Sequence, residues 1–254
     1  EPVPGGLSID DKKEIFAYLD QRKLVDYFSI GFGSYFEPTS SIVPNFHFGM
    51  RLTEQDAKDF KSAVKHALVT TEARVKTIEN AEDILSLGHA DMVSLVRGQI
   101  ADPHLANKAL EGRAEDIRPC ISCNQLCIGR RLNNYSISCL VNPSVGREVP
   151  WGGDTSIAAD TPKDVLIVGA GPAGLETARV AAERGHRVRL VEKLGEIGGQ
   201  FRLAAGQPER GEIGALISWY QTQLEKLQVK VELRTEMTAE DIRNSGGDEV
   251  DRQS

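Results

Sequence analysis

The sequence contains little cysteine and no long apolar run. Only four of its 254 residues are cysteines, and all four lie between positions 120 and 139. Small secreted proteins that depend on disulfides spread cysteines along the chain, so this local group instead favours metal binding in a reducing, cytoplasmic compartment. No stretch approaches the roughly 18 to 20 consecutive apolar residues of a membrane helix, and no membrane partner is expected.

Negative charge outnumbers positive charge. Lys and Arg together number 30 against 37 Asp and Glu, which gives a formal net charge of -7. Because nucleic-acid binding usually needs a clustered positive face, this balance argues against a nucleic-acid partner. The N-terminal segment lacks a start methionine and the basic and apolar regions of a secretory signal, so we expect the chain to begin partway through a longer protein.

The overall composition is that of a folded globular protein, with 40% hydrophobic and 26% charged residues. Between residues 24 and 111, strand and helix patterns alternate at roughly twenty-residue spacing, which predicts an α/β fold with parallel strands joined by helices. This pattern fits either an open sheet or the closing part of an eight-stranded barrel. A segment rich in Pro and Gly, residues 140–163, predicts a linker before a second domain.

Local signals in the first region predict the roles of several residues. Thr53 suits the N-cap of a helix over residues 53–66, and Asp56 stands three residues later, where a capping box prefers Glu or Gln. Tyr27 is expected in the core of a strand over residues 24–31, and His47 in a loop. No motif assigns acid or base chemistry to Tyr27, Tyr35 or His47.

The strongest motif is a glycine fingerprint placed after a predicted strand, residues 164–168, and at the start of a predicted helix. It reads Gly169-Ala170-Gly171-Pro172-Ala173-Gly174. Its first glycine permits a tight turn, its second lets the backbone approach a pyrophosphate, and its third allows close packing of helix on strand. Glu192, at the end of the next predicted strand, residues 187–191, is placed to accept hydrogen bonds from a ribose hydroxyl. A glycine turn without a ligand is the alternative interpretation.

The four cysteines follow the spacing C-x2-C-x3-C-x11-C, at Cys120, Cys123, Cys127 and Cys139. Three thiolates on one tight loop with a fourth from a later turn match the coordination of a [4Fe–4S] cluster. Structural zinc more often uses two C-x2-C pairs across a longer gap, and only one such pair is present. The spacing therefore favours the cluster and leaves zinc and buried thiols as alternatives.

A weaker signal comes from two arginines. Arg74 closes one predicted strand and Arg97 closes the next. In a parallel barrel the carboxyl ends of the strands face the ligand, and a phosphate site is often assembled after the last two strands. An arginine pair there would suit a phosphate, and the alternative is two solvated surface arginines.

Several of these segments resemble the iron–sulfur flavoenzymes related to bacterial 2,4-dienoyl-CoA reductase and trimethylamine dehydrogenase. The resemblance rests on the runs Gly88-His89-Ala90-Asp91-Met92-Val93, Ala101-Asp102-Pro103, Glu111-Gly112-Arg113 and Asp116-Ile117-Arg118-Pro119-Cys120-Ile121-Ser122-Cys123-Asn124-Gln125. It continues through Cys139-Leu140-Val141-Asn142-Pro143, the glycine fingerprint and Gly195-Glu196-Ile197-Gly198-Gly199-Gln200. It covers most of the chain, and residues 88–203 are its most specific part.

The resemblance implies three successive parts. Residues 1–118 would be the C-terminal part of an FMN-binding TIM barrel, residues 119–163 the [4Fe–4S] cluster loop and linker, and residues 164–254 an incomplete Rossmann-like domain for FAD or ADP. It implies that Arg74 and Arg97 grip the FMN phosphate, although Ala73 and Val96 stand where related sequences often have Gly. The residues it implies for the second nucleotide are Gly169, Gly171, Pro172, Ala173, Gly174, Glu192, Lys193, Gly199 and Gln200.

The resemblance also implies an activity. Electrons would pass from NAD(P)H through FAD and the cluster to FMN, which reduces an unsaturated acyl-CoA or enone. A methylated-amine dehydrogenase, in which electrons run outward to an acceptor, is the alternative within the family, and a zinc-stiffened nucleotide-binding module is the alternative outside it. Complete members are more than twice as long, and their Tyr and His acid–base pair has no counterpart here, so the catalytic residues are expected outside this chain.

Overall fold

The computed structural model describes residues 5–33, 42–151 and 156–252. The chain forms two compact units. The first contains residues 1–100 and 122–135, and the second contains residues 101–121 and 136–254. Tyr35, considered above for acid–base chemistry, lies outside the described residues.

Short strands and helices alternate along the chain. In order, the strands and α-helices are α1 (Ile9–Gln21), β1 (Tyr27–Ile30), α2 (Glu54–Lys61), β2 (Leu68–Thr71), α3 (Ile78–Ser86), β3 (Met92–Val93), α4 (Val96–Ala101), α5 (Leu105–Leu110), α6 (Arg130–Leu132), α7 (Glu148–Trp151), β4 (Asp164–Val168), α8 (Pro172–Glu183), β5 (Arg187–Val191), α9 (Gln200–Ala205), α10 (Glu212–Lys226), β6 (Lys230–Glu232), α11 (Ala239–Arg243) and β7 (Glu249–Arg252). A 3-10 turn covers Ala114–Asp116 and a π-helical turn covers Gln125–Gly129. Among the described residues, no helix combines the length and apolar character needed to cross a membrane.

The first unit is built on a parallel sheet in the order β1-β2-β3. Tyr27 pairs with Leu68 at one end of the β1–β2 register, and Thr71 pairs with Val93 between β2 and β3. Its core combines alternate strand residues with the apolar faces of α2 and α3. These buried residues include Phe28, Ile30, Ala57, Phe60, Val69, Ala81 and Ile84. The predicted α/β class with parallel strands is therefore confirmed for this unit.

The second unit contains a four-stranded parallel sheet in the order β6-β5-β4-β7. The strands predicted over residues 164–168 and 187–191 form with those bounds and pair in register, with Val168 opposite Val191. Strand β7, which pairs with β4 on the other side, was not predicted. Three of its four residues are charged, so it lacks the apolar pattern of a buried strand.

One local expectation in the first unit is wrong, and another is confirmed only in part. Tyr27 is 58% exposed, because Phe28 and Ile30 occupy the buried face of β1 and Tyr27 alternates onto the opposite face. Thr53 does stand at the N-cap of α2, but its hydroxyl makes no capping hydrogen bond. The Thr53 Oγ1 instead lies 3.0 Å from the Thr71 Oγ1 and donates to the Glu72 carbonyl at 2.7 Å, which ties α2 to the end of β2.

Candidate functional site

The glycine fingerprint forms the turn between β4 and α8 in the second unit. Gly169 has φ of 107°, a conformation that favours glycine, and its N–H donates to the Val191 carbonyl at 2.8 Å. Gly171 is extended and stands at the N-cap of α8, with Pro172 at the first helical position. The first-turn N–H groups of a helix lack intrahelical acceptors, so the turn presents backbone donors and the positive end of the helix dipole.

Space above this turn is open on one side and closed on the other. A Cβ built on Gly171 would meet no atom within 4 Å, whereas a Cβ on Gly199 would lie 3.0 Å from the Cα of Gly171. The Gly198 N–H also donates to the Ala170 carbonyl at 2.8 Å. Residues 198–199 therefore line one side of the turn. The space that a side chain at Gly171 would occupy stays open and forms a cradle. An uncluttered cradle at a helix N-terminus fits a pyrophosphate.

Glu192 lies at the end of β5 and is buried, with 7% of its surface exposed. One carboxylate oxygen accepts the Ala170 N–H at 2.8 Å, and the other accepts the Leu194 N–H at 2.8 Å. Each carboxylate oxygen has a second lone pair, so the group can fix the fingerprint turn and still accept a hydroxyl. Lys193 and Gln200, also predicted here, are exposed.

The four cysteines are divided between the units. Cys123 and Cys127 belong to the first unit, and Cys120 and Cys139 belong to the second, so neither unit by itself contains all four. All four are partly exposed, and none of these described cysteines forms a disulfide. Within the described part of either unit, no three His, Cys, Asp or Glu side chains are grouped as a metal site. The donor chemistry, four thiols, suits iron–sulfur or zinc coordination.

The loop around Cys123 has an unusual backbone. Ser122 and Asn124, on either side of it, have positive φ values of 53° and 56°. A π-helical turn follows immediately, and its last residue, Gly129, donates its N–H to the Asn124 carbonyl at 2.9 Å. Left-handed backbone costs on the order of 1–3 kcal/mol at most residues other than glycine, and asparagine tolerates it better than serine does. The strain in this loop therefore falls mainly on Ser122.

The chain before Cys120 is anchored within the second unit. The fully buried Asp102 carboxylate accepts the Arg118 N–H at 2.8 Å and the Lys108 ammonium at 2.7 Å. The Trp219 indole N–H on α10 donates to the Asp116 carbonyl at 3.1 Å. These contacts give a structural role to the Ala101-Asp102-Pro103 and Asp116 to Arg118 segments that carry the family resemblance.

Arg74 follows β2 and is buried, with 3% of its surface exposed, so the alternative of a solvated surface arginine is wrong for this residue. Its guanidinium donates to the Phe48 carbonyl at 2.9 Å and to the Gly49 carbonyl at 3.2 Å. Arg74 therefore anchors the loop that precedes α2. Ala73 and Arg74 both have positive φ values, 57° and 70°.

Arg97 is half-buried and lies in the first turn of α4, not at the end of a strand as predicted. Strand β3 is shorter than expected because it pairs with β2 only through Met92 and Val93. The Arg97 guanidinium donates to the side-chain oxygen of Asn124 at 2.8 Å. The predicted phosphate ligand thus contacts the loop that carries Cys123.

Sequence reasoning missed Asn124 and Glu72. The carboxyl of Glu72 lies at the carboxyl edge of the first sheet, where one of its oxygens would stand 2.8 Å from a Cβ built on Gly31. Burial raises the pKa of Glu72. Its position directly after a predicted strand was a usable signal, because the carboxyl ends of parallel strands share one edge. Nothing in the spacing pointed to the Asn124 contact with Arg97.

Comparison with known proteins relates both units to oxidoreductases. The family model described as FAD dependent oxidoreductase matches residues 164–246. The N,N-dimethylglycine/sarcosine dehydrogenase of Chromohalobacter salexigens is 37% identical over 246 residues, which are 94% of this chain and 35% of that protein. The cinnamate reductase of Clostridium sporogenes is 40% identical over 183 residues, 72% of this chain and 27% of that protein.

A solved structure agrees with these sequence relationships. The complex of 2-naphthoyl-CoA reductase with 2-naphthoyl-CoA superposes with a TM-score of 0.91 at 34% identity, covering 98% of this chain and 37% of that one. The chain therefore spans about a third of the length of the relatives that it matches.

Proposed function

The chain belongs to the iron–sulfur flavoenzyme family of 2,4-dienoyl-CoA reductase and trimethylamine dehydrogenase, and from this premise we propose that it is a segment of an FMN-, FAD- and [4Fe–4S]-dependent oxidoreductase. The proposed reaction passes electrons from NAD(P)H to an unsaturated acyl-CoA or enone. The observation that carries the proposal is the relationship to a redox enzyme over 94% of the chain, which includes both units.

We assign residues 1–118 to the last part of a TIM barrel that binds FMN. The parallel sheet of the first unit supports this assignment, because parallel sheets are normally covered on both faces. In this chain the paired residues Tyr27 and Leu68 are 58% and 47% exposed on one face of that sheet. An apolar pair of this kind is expected where the remaining strands of a barrel would pack.

We assign FAD, or ADP in its place, to a Rossmann-like domain over residues 164–254. The cradle above Gly171 would receive the pyrophosphate, with N–H groups of Ala173 and Gly174 directed at it from the first turn of α8. The Glu192 carboxylate would accept the ribose hydroxyls while its bonds to Ala170 and Leu194 hold the turn in shape. The remaining proposed contacts are Gly169, Pro172, Lys193, Gly199 and Gln200.

We assign the FMN phosphate to Arg97, with Arg74 holding the adjacent loop, and a [4Fe–4S] cluster to Cys120, Cys123, Cys127 and Cys139. The positive charge and planar donors of an arginine match a phosphate. When bound, the flavins exchange electrons in pairs or singly and the cluster exchanges them singly, which links a hydride donor to a separate site of reduction. The protein supplies orientation, electrostatic stabilisation and exclusion of water.

A second function within the same family is the oxidation of a methylated amine. The relationship to N,N-dimethylglycine/sarcosine dehydrogenase favours it, whereas the relationships to cinnamate reductase and 2-naphthoyl-CoA reductase favour the reductive direction. Anaerobic mixing of the full-length protein with NADH, or with dimethylglycine, separates the two. Bleaching of the flavin absorbance by NADH supports the reductase, and bleaching by the amine alone supports the dehydrogenase.

The cofactor assignment is tested by anaerobic purification of the full-length protein followed by flavin, iron and acid-labile sulfide analysis. We expect two flavin or adenine nucleotide sites and about four iron atoms per chain, the number in one [4Fe–4S] cluster. Cys123→Ser should remove the iron and the absorption of the cluster, while the control Asn133→Ala, an exposed position after the same loop, should retain both. A colourless protein that contains zinc, or full iron content in Cys123→Ser, would contradict the assignment.

A further inference from the structure

Asn124 is the point in the first unit where three segments meet. Its side-chain oxygen accepts the Arg97 guanidinium at 2.8 Å, and its side-chain nitrogen donates to the Val43 carbonyl at 2.5 Å. Its backbone carbonyl accepts the Gly129 N–H at 2.9 Å and so closes the turn that contains Cys127. One residue thus bonds to the loop after β1, to the start of α4 and to the cysteine loop.

Close packing prevents this arrangement from relaxing easily. A Cβ on Gly129 would lie 2.9 Å from the Asn124 carbonyl oxygen, so the turn tolerates no side chain there. Asn124 itself has φ of 56°, and asparagine is among the few residues that adopt this conformation readily. The amide side chain is therefore held in one place, with its acceptor directed at Arg97 and its donor directed at Val43.

Arg97 gains its orientation from this contact. The guanidinium is a planar group with five N–H donors in a fixed fork, and a single anchored bond at Nη1 restricts the plane that the other donors can use. Because the anchor is neutral, the guanidinium keeps its full charge for an anion. A carboxylate at the same position would satisfy the same bond and neutralise that charge.

We propose that Asn124 is a positioning residue that couples the thiol loop to phosphate binding. It orients Arg97 toward the phosphate of FMN, so that the conformation of the Cys123–Cys127 loop and the affinity for the phosphate depend on each other. The proposal rests on the proposed function, since it takes Arg97 as the phosphate ligand. Coupling of this kind is reciprocal. A change that orders the cysteine loop increases the affinity for the FMN phosphate by some factor, and FMN binding favours the ordered loop by the same factor.

The test compares FMN with riboflavin, which has the same ring system but no phosphate. Flavin-depleted full-length protein, with saturating ADP present to block the second nucleotide site, is titrated with each ligand by flavin fluorescence. For Asn124→Ala we expect FMN affinity to fall about tenfold, a loss typical of one hydrogen bond to a charged group, and riboflavin affinity to stay unchanged. The matched control Asn133→Ala, which removes a bond to the Gly129 carbonyl at 2.8 Å, should change neither.

Two further variants keep the proposal falsifiable if the alanine variant folds poorly. Asn124→Asp retains the shape and the acceptor but pairs a negative charge with Arg97, so it should weaken FMN binding at least as strongly and leave riboflavin binding unchanged. In the Arg97→Ala background, Asn124→Ala should have no further effect on FMN binding. Equal losses for FMN and riboflavin, or additive losses in the double variant, would overturn the coupling.

The failure of this proposal is distinguishable from failure of the proposed function. If the unmodified protein binds FMN no more tightly than riboflavin, or if Arg97→Ala leaves FMN binding unchanged, the phosphate assignment of Arg97 itself is wrong. If Arg97→Ala weakens FMN binding but Asn124→Ala does not, the phosphate site stands and the positioning role of Asn124 is refuted.

Discussion

Glu192 offers a sharp test because the structure gives it a role that does not depend on any ligand. Its buried carboxylate accepts the Ala170 and Leu194 N–H groups, each at 2.8 Å. A hydrogen bond to a charged group contributes about 1.5–3 kcal/mol, and the Ala170 N–H is buried, so its loss is not compensated by water. The Leu194 N–H is partly exposed, and water replaces most of that bond. Together these contributions predict that Glu192→Ala destabilises the second unit by about 2–4 kcal/mol.

Thermal unfolding without nucleotide measures this effect directly. For a unit of this size, each kcal/mol lowers the melting temperature by roughly 2–4 °C, so Glu192→Ala should melt roughly 4–16 °C below the unmodified protein. Glu192→Gln retains one carbonyl acceptor but turns an NH2 group toward the other N–H donor, and it should show an intermediate loss. The control is Glu196→Ala, at an exposed site in the same region, which should stay within about 0.5 kcal/mol.

The reasoning is refuted if the melting temperature of Glu192→Ala equals that of the Glu196→Ala control. That result would mean that the two backbone N–H groups find other partners and that Glu192 serves only the ribose. If Glu192→Ala is strongly destabilised, weak nucleotide binding by that variant says little about ribose recognition. The comparison of FAD with FAD lacking the adenosine ribose hydroxyls, on the unmodified protein, then becomes the cleaner test of that contact.

Three other substitutions test local geometry. Ala73→Gly should stabilise the protein by up to about 1 kcal/mol in urea unfolding, because the φ of 57° at Ala73 strains a residue with a Cβ; an unchanged midpoint would contradict this. Burial raises the pKa of Glu72, so the native state binds the carboxyl proton more tightly than the unfolded state does. The free energy of unfolding therefore falls as pH rises from the ordinary pKa of a glutamate to the raised one. Glu72→Gln lacks this loss, and its melting temperature should exceed that of the unmodified protein at about pH 7 but not at about pH 4. Gly199→Ala, whose Cβ would lie 3.0 Å from the Gly171 Cα, should lower ADP affinity at least tenfold by calorimetry, whereas Gly211→Ala, with no atom within 4 Å, should not.

Much of the second unit was predictable from sequence because its signals are contiguous. The apolar run before Gly169, the glycine turn and the amphipathic helix after it occupy neighbouring positions, and the structure places β4, the turn and α8 where the pattern predicted. Strand β7 was missed because three of its four residues are charged, so that only its pairing with β4 defines it. The cofactor and cluster ligands assigned from the sequence motifs stay predictions.

The first unit shows more clearly what the sequence does not predict. Alternation along β1 predicted a strand but not which face would be covered, and Tyr27 was assigned to the wrong one. Thr53 was recognised as an N-cap from the residue types around it, but its hydroxyl is used by Thr71 and Glu72, 18 and 19 residues away. Propensity describes what a residue can do locally, and tertiary neighbours decide which of those options is used.

From its sequence alone, the chain reveals its parallel α/β class, its glycine turn, its group of cysteines and its family, because each is written in residue types at short and regular spacing. The structure adds the contacts that span long separations: the Glu192 bonds to Ala170, 22 residues away, and the Arg97 bond to Asn124, 27 residues away. Such contacts exist only once strands and loops distant in sequence have packed together, because the hydrogen-bonding capacity of a side chain does not specify its partner.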